Sequence, residues 1–230
     1  MRVAEEHRKV VQLPILKGSS IGDAFSGFAP QIEKNAHVGR RVEHAVTAFA
    51  AEIRGWQAVT ARLGEPAAER LRSQVLERVV AAVESAGGFQ VAIAGTAAAP
   101  LVTATFGGDE HAMRAVVAAQ RVRDVAGRSL HPSMKERFHA CIGLNSGTIA
   151  QTRVNGSGLE FQASGTIRMF AARLQEFAGP DQIFLSESTY RAVPSALDVV
   201  AIGGVRTNGD GEQAEAYCLR GIRPDRTALG

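Results

Sequence analysis

Phe89-Gln90-Val91-Ala92-Ile93-Ala94-Gly95-Thr96-Ala97-Ala98-Ala99-Pro100-Leu101-Val102-Thr103-Ala104-Thr105-Phe106 lies inside a stretch, residues 85–108, that carries no charge at all. Its reading decides what kind of chain this is. An uncharged stretch of this length is long enough to cross a bilayer, but a spanning helix needs a continuous apolar run. Here the dense apolar parts are two short runs, Phe89 to Ile93 and Leu101 to Phe106. They are parted by Gly95 and Pro100, with Gln90 in the first run and glycines at both ends. That pattern predicts a buried β-hairpin and no membrane insertion.

Regular elements flank the hairpin on both sides. Upstream, Ala45 to Ile53 is mostly apolar and strand-like, and a short helical piece follows from Trp56 to Leu63. Pro66 then opens an amphipathic helix, Pro being tolerated in a first turn. Its apolar positions Leu71, Val75, Val79 and Val83 recur every fourth residue, and Gly87-Gly88 ends it. Downstream, Asp109 is expected to cap a second helix with Met113, Val116, Val117 and Val125, closed by Gly127. Phe138, Ala140, Ile142 and Leu144 alternate as a half-buried strand, and Asn155-Gly156 marks a hairpin turn. A third helix is expected from Thr166 to Ala178, stopped by Gly179-Pro180. Ile183 to Leu185 reads as a strand, and Ser186 as the cap of a small helix ending before Pro194. Two last strands flank the turn Asn208-Gly209-Asp210-Gly211. Mixed strands and helices with several hairpins predict an α+β fold, helices packed on a largely antiparallel sheet.

Composition narrows the function classes. With 230 residues, 45% hydrophobic and 21% charged, the chain has an ordinary globular composition; disorder, collagen-like repeats and coiled-coil arrays are excluded as whole-chain readings. The 26 basic residues nearly match the 23 acidic ones, leaving a net charge of +3. No dense basic stripe interleaves with aromatics, so no nucleic-acid partner is expected. Cys141 and Cys218 are too few for a disulfide framework or a zinc site and read as small core residues of a reduced protein. Met1 to Val11 mixes Glu5 and Glu6 with Arg2, Arg8 and Lys9, unlike a signal peptide; a cytoplasmic location is expected. The six histidines show no ligand spacing, and the glycine-rich stretches match neither a P-loop nor a dinucleotide fingerprint. Residues 1–42 form an arm in which Ile21, Phe25, Phe28 and Ile32 suggest one short helix; residues 43–221 form the domain and 222–230 a tail.

Five stretches together resemble the class III adenylate/guanylate cyclase catalytic domain. Val46-Thr47-Ala48-Phe49-Ala50-Ala51-Glu52-Ile53-Arg54-Gly55-Trp56 resembles the family's first strand and turn. Glu84-Ser85-Ala86-Gly87-Gly88 resembles the end of its first long helix, and Ile142-Gly143-Leu144-Asn145-Ser146-Gly147 its IGxNxG stretch. Gly165 to Leu174, with Ala171-Ala172-Arg173-Leu174, resembles the helix bearing catalytic residues. Gln182-Ile183-Phe184-Leu185-Ser186-Glu187-Ser188-Thr189-Tyr190 resembles the strand and helix near its end. The resemblance implies a ferredoxin-like βαββαβ core and a head-to-tail homodimer, each subunit lending half of each site.

In that family two carboxylates hold two divalent metals over a triphosphate. An Asn orients the ribose, an Arg stabilises charge on the phosphates, and two positions read the base. The resemblance places the first metal carboxylate on Glu52 and the second on Thr96, which is neutral, in a hairpin tip lengthened by about four residues, Ala97 to Pro100. The base-reading positions fall on Ala92, which donates nothing, and Gln162, which can still bond a base edge. The ribose-orienting Asn falls on Met169, and only the phosphate-binding Arg persists, as Arg173. Thr166 joins Gln162, Arg173 and Thr96 as a nucleotide-binding candidate. Alternative readings stand beside these: Arg173 as a salt-bridge residue, Glu52 as a solvated strand-end carboxylate, and Met169 and Phe170 as core or dimer packing. No cofactor is expected, magnesium or manganese only if Glu52 still binds metal. The leading reading is a cyclase fold without cyclase activity, a dimeric scaffold or regulator acting through protein partners. A nucleotide or small-ligand sensor is the alternative, and an active or heterodimeric cyclase comes third.

Overall fold

The computed structural model describes residues 42–130, 134–151, 165–206 and 213–223. The arm, the tail beyond 223, Gln162 and the turns at Asn155-Gly156 and Asn208 to Gly211 lie outside the described residues. β1 (Val42–Arg54) begins one residue inside the expected arm and is the hub of the sheet. It pairs antiparallel with β3 (Ala99–Gly107) on one side and with β4 (His139–Gln151) on the other. β2 (Phe89–Thr96) pairs antiparallel with β3, completing the expected hairpin. β5 (Ile183–Ser186) lies parallel to β4, and β7 (Gln213–Ile222) and β6 (Leu197–Arg206) follow antiparallel. The described residues thus form a seven-stranded sheet of order β2-β3-β1-β4-β5-β7-β6, antiparallel but for β4–β5. β1-α-β2-β3-α-β4 is the expected ferredoxin-like core.

Alternation along β1 sends Phe49, Ala51 and Ile53 to one face and Val46, Ala48, Ala50 and Glu52 to the other. The first face is covered by three helices: α1 (Trp56–Leu63), α2 (Glu65–Ser85) and α3 (His111–Gly127). Their Trp56, Val75, Val79, Val83, Val116 and Val122 pack with Phe49, Phe106, Ile142 and Leu144 in the main core. Each such large side chain contributes about 1.5–3 kcal/mol by leaving water. The opposite face carries α4 (Gly165–Phe177), whose Ile167 and Ala171 meet Val46, Ala48 and Ala50. α5 (Glu187–Ala192) closes the end of β4 and β5, and Ser186 caps it by accepting a bond from the Thr189 N–H, as expected. Among the described residues no helix is long and apolar enough to cross a membrane.

Several local expectations change. The buried stripe of α2 runs through Ala68, Arg72, Val75, Val79 and Val83; Leu71 is only partly buried. Arg72 is tolerated there because its guanidinium lies over the Trp56 ring, 5.3 Å from the centroid, and pairs with Glu69 and Glu65. Asp109 does not cap α3: the N-cap is Glu110, in the left-handed region at φ 58, and no side-chain bond closes that end. β4 is not half-buried. Cys141 is fully buried and Asn145 only 7% exposed, as α4 covers the face alternate to Ile142 and Leu144. At the hairpin tip Ala97 and Ala98 alone form the turn between paired Thr96 and Ala99. Pro100 joins β3 beyond the last rung with β1, Glu52 to Leu101, so its missing N–H breaks no bond to that strand.

Candidate functional site

α4 is held by the stretch Ile142 to Gly147. A Cβ on Gly143 would stand 2.1 Å from the Ala171 carbonyl oxygen and 2.5 Å from the Gln175 amide nitrogen, so only Gly lets the helix backbone come this close. On Gly147 a Cβ would lie 2.7 Å from Ile167 Cδ1. Between them Asn145 Nδ2 donates to the Ile167 carbonyl at 3.0 Å, and Ser188 Oγ donates to Asn145 Oδ1 at 3.3 Å. The glycines and the asparagine of this stretch are therefore a seat for the helix.

Three of the expected site positions share the sheet face beneath α4. Glu52 pairs with Leu101, Leu101 pairs with Ala94, and Ala92 and Thr96 flank Ala94 along β2. Glu52 is not the solvated strand-end carboxylate of the alternative reading: its side chain is 18% exposed. Gln175, fully buried on α4, donates from Nε2 to Glu52 Oε2 at 2.6 Å. Arg54 Nη2 donates to the same oxygen at 3.0 Å, and its Nη1 reaches the Ala178 carbonyl at 3.3 Å. The bond to Glu52 holds the Arg54 guanidinium protonated more firmly than usual, against partial burial. Thr96 is exposed, its Oγ1 accepting a bond from the Ala99 N–H at 3.2 Å.

This donor set does not fit two divalent cations. Such ions require several carboxylate or carbonyl oxygens at short range. Here the carboxylate of Glu52 is already bonded to a guanidinium and an amide, and Thr96 supplies a neutral hydroxyl. Among the described residues no three His, Cys, Asp or Glu side chains converge to hold a metal.

The remaining described candidates lie on the opposite, outward side of α4. Thr166, Met169, Arg173, Glu176 and Phe177 form one exposed stripe; Met169 is 45% and Phe177 57% exposed. Met169 is therefore not core, whereas Phe170 is, packed with Cys141, Leu174 and Phe184. Arg173 Nη1 donates to Glu176 Oε2 at 2.7 Å, an exposed pair one turn apart. The structure thus places Glu52, Ala92 and Thr96 on one face of the sheet without contact between them, and it sets Thr166, Met169 and Arg173 on the outward side of α4.

Residue-by-residue reading missed Gln175 and Arg54. A signal existed for the first: a Gln four residues after Ala171, on the apolar stripe of α4, needs a buried partner. Also missed was a chain of hydroxyls across the sheet end. Thr47 Oγ1 lies 2.7 Å from both His111 Nδ1 and Ser146 Oγ, Ser146 Oγ donates to Thr189 Oγ1 at 3.0 Å, and Thr189 reaches Ser186 Oγ at 3.0 Å. Burial, and secondarily Arg114, lowers the His111 pKa. Arg168, on the inner flank of α4, donates to Gln90 Oε1 at 2.8 Å, and burial lowers its pKa.

With this geometry in place the fold has clear counterparts among solved nucleotidyl cyclase domains. The adenylyl cyclase CyaB from P. aeruginosa superposes with a TM-score of 0.65 at 17% identity, over 80% of this chain and 98% of that one. The guanylate cyclase domain of RhGC from Catenaria anguillulae, solved with GTP, gives 0.61 at 20% identity, over 79% and 100%. A dimeric guanylyl cyclase domain of the RhoGC fusion protein from Blastocladiella emersonii gives 0.59 at 20% identity, over 80% and 98%. The chain has the α+β fold of the class III adenylate/guanylate cyclase catalytic domain. No protein-family model matches the sequence, and neither does any curated protein.

Proposed function

We propose that this chain is a cyclase-fold domain without cyclase activity, a cytoplasmic homodimeric scaffold or signalling regulator that works through a protein partner. One observation carries the reading: the Glu52 carboxylate, the position that would hold metal, is bonded inside the fold to Arg54 and Gln175. Together with a neutral Thr96 and an apolar Met169, it leaves the two-metal and ribose-orienting roles without side chains to perform them. Dimerisation is supported by the outward stripe of α4. Met169 and Phe177 expose apolar surface there, beside the exposed Arg173–Glu176 pair.

A nucleotide sensor is the second reading, favoured by the exposure of Thr166 and Arg173 on one helix face. The Arg173–Glu176 pair is worth no more than about 0.5 kcal/mol at such exposure, so a phosphate can displace Glu176. A thermal-shift titration of the full chain with ATP, GTP and cyclic nucleotides, with and without Mn²⁺, separates the two. The scaffold reading expects no shift. A ligand at a hundredfold its Kd adds about 2.7 kcal/mol, several degrees for a domain this size, and such a shift replaces the scaffold by the sensor.

A further inference from the structure

The sheet face beneath α4 continues beyond the helix. α4 packs on β1, β4 and β5, and among the described residues no helix lies over β7 and β6 on that face. A groove of about 310 Å³ lies there, floored by Phe184 of β5, Cys218 of β7 and Val200 of β6, which the strand register sets side by side. Ile202 extends the apolar wall; it and Val200 are 39% and 45% exposed. Arg220 of β7 and Arg123, which comes from α3 on the other side of the sheet, also line the groove.

The charge in this groove is not balanced. Among the described residues neither Arg123 nor Arg220 has an ion-pair or hydrogen-bond partner. The carboxylate on the wall, Asp181, is committed elsewhere: Oδ2 lies 2.8 Å from His139 Nδ1, and Oδ1 accepts from the Ala140 N–H at 3.2 Å. Burial pushes the Cys218 thiol pKa up, and the charges of Arg220 and Arg123, which line the groove with it, work against that rise. Unneutralised guanidiniums at an apolar surface favour an anion with an apolar body, and the planar guanidinium fork matches a carboxylate. The volume falls at the lower end of small-molecule sites, roughly 300–1,000 Å³.

We propose that this groove binds a small organic carboxylate, its head held by Arg123 and Arg220 and its apolar body resting on Phe184, Val200 and Ile202. The site lies apart from the nucleotide candidates on α4, so it stands or falls independently of the scaffold reading.

Cys218 reports occupancy. The full chain is treated with iodoacetamide, and alkylation of each cysteine is followed by peptide mass spectrometry in the presence of decanoate or decanol. Cys141 is the internal control, being fully buried with its thiol pushed up to about 11. Decanoate is expected to slow Cys218 alkylation severalfold and leave Cys141 unchanged, with decanol requiring about tenfold more to do the same. The Arg123→Gln/Arg220→Gln double variant is expected to weaken decanoate protection by at least about tenfold. No protection by decanoate overturns the proposal. Equal protection by decanol, or undiminished protection in the double variant, overturns it too, because the groove is then an apolar surface without a carboxylate site. The decanoate–decanol comparison needs no variant, so it holds even if the substitutions disturb folding.

Discussion

The bond between Gln175 Nε2 and Glu52 Oε2, 2.6 Å across 123 residues of sequence, separates this chain from a metal-binding reading of the same strand. Gln175→Ala removes one of the two donors on a mostly buried carboxylate and is expected to cost about 1–3 kcal/mol in urea unfolding; an unchanged midpoint would show that Glu52 does not depend on that bond. His111 gives a second test. Its pKa is lowered in the fold, so the unfolded chain binds more protons below the ordinary value of about 6.5. The corresponding stability is present above pH 6.5 and is lost as pH falls below it. His111→Gln is expected to flatten that acid limb relative to the wild type when unfolding is measured from pH 7 to 5; parallel curves would exclude His111 as its source. In the sequence, Thr96 and Met169 read as the wrong chemistry for the roles that the resemblance assigns to them. The partners of Glu52 were not legible there, because Arg54 and Gln175 acquire that role only when α4 settles on β1.

Among elements, α4 has two faces that answer to different physics. Its inner face depends on the absence of a Cβ at Gly143, where one would stand 2.1 Å from the Ala171 carbonyl oxygen. Gly143→Ala must push the helix backbone off the sheet and is expected to cost about 3 kcal/mol or more, seen as a large fall in Tm; a near-wild-type Tm would contradict the close seating. The outer face carries Met169 and Phe177 in solvent. Met169→Asp is expected to leave Tm within about a degree or two and to convert the dimer to monomer in sedimentation velocity, since surface changes rarely exceed about 0.5 kcal/mol. A wild-type chain that is monomeric at tens of micromolar, a concentration on the order of common interface affinities, would contradict the dimer itself. Helices and strands were legible because their hydrophobic periods are local. The two-sided burial of β4 and the burial of Arg72 were not: each depends on a helix arriving from far along the chain, α4 over Cys141 and Asn145, Trp56 beneath Arg72.

For the whole molecule, the order of elements was readable from hairpin and helix signals, and the sheet order β2-β3-β1-β4-β5-β7-β6 agrees with the fold that the resemblance implied. Architecture of this kind tolerates loss of chemistry, because the core of Phe49, Ile142 and Leu144 and the seat of α4 do not use the residues that hold metal and ribose. On the proposed reading, fold and activity therefore separate here. The direct measurement is chromatographic quantification of product after prolonged incubation of the full chain with Mn²⁺ and ATP or GTP, at a concentration where sedimentation finds the proposed dimer. Cyclic nucleotide no higher than in a protein-free blank is the expected result. Product that grows with protein concentration and time would contradict the proposal and make Glu52, despite its bonds to Arg54 and Gln175, a working metal ligand.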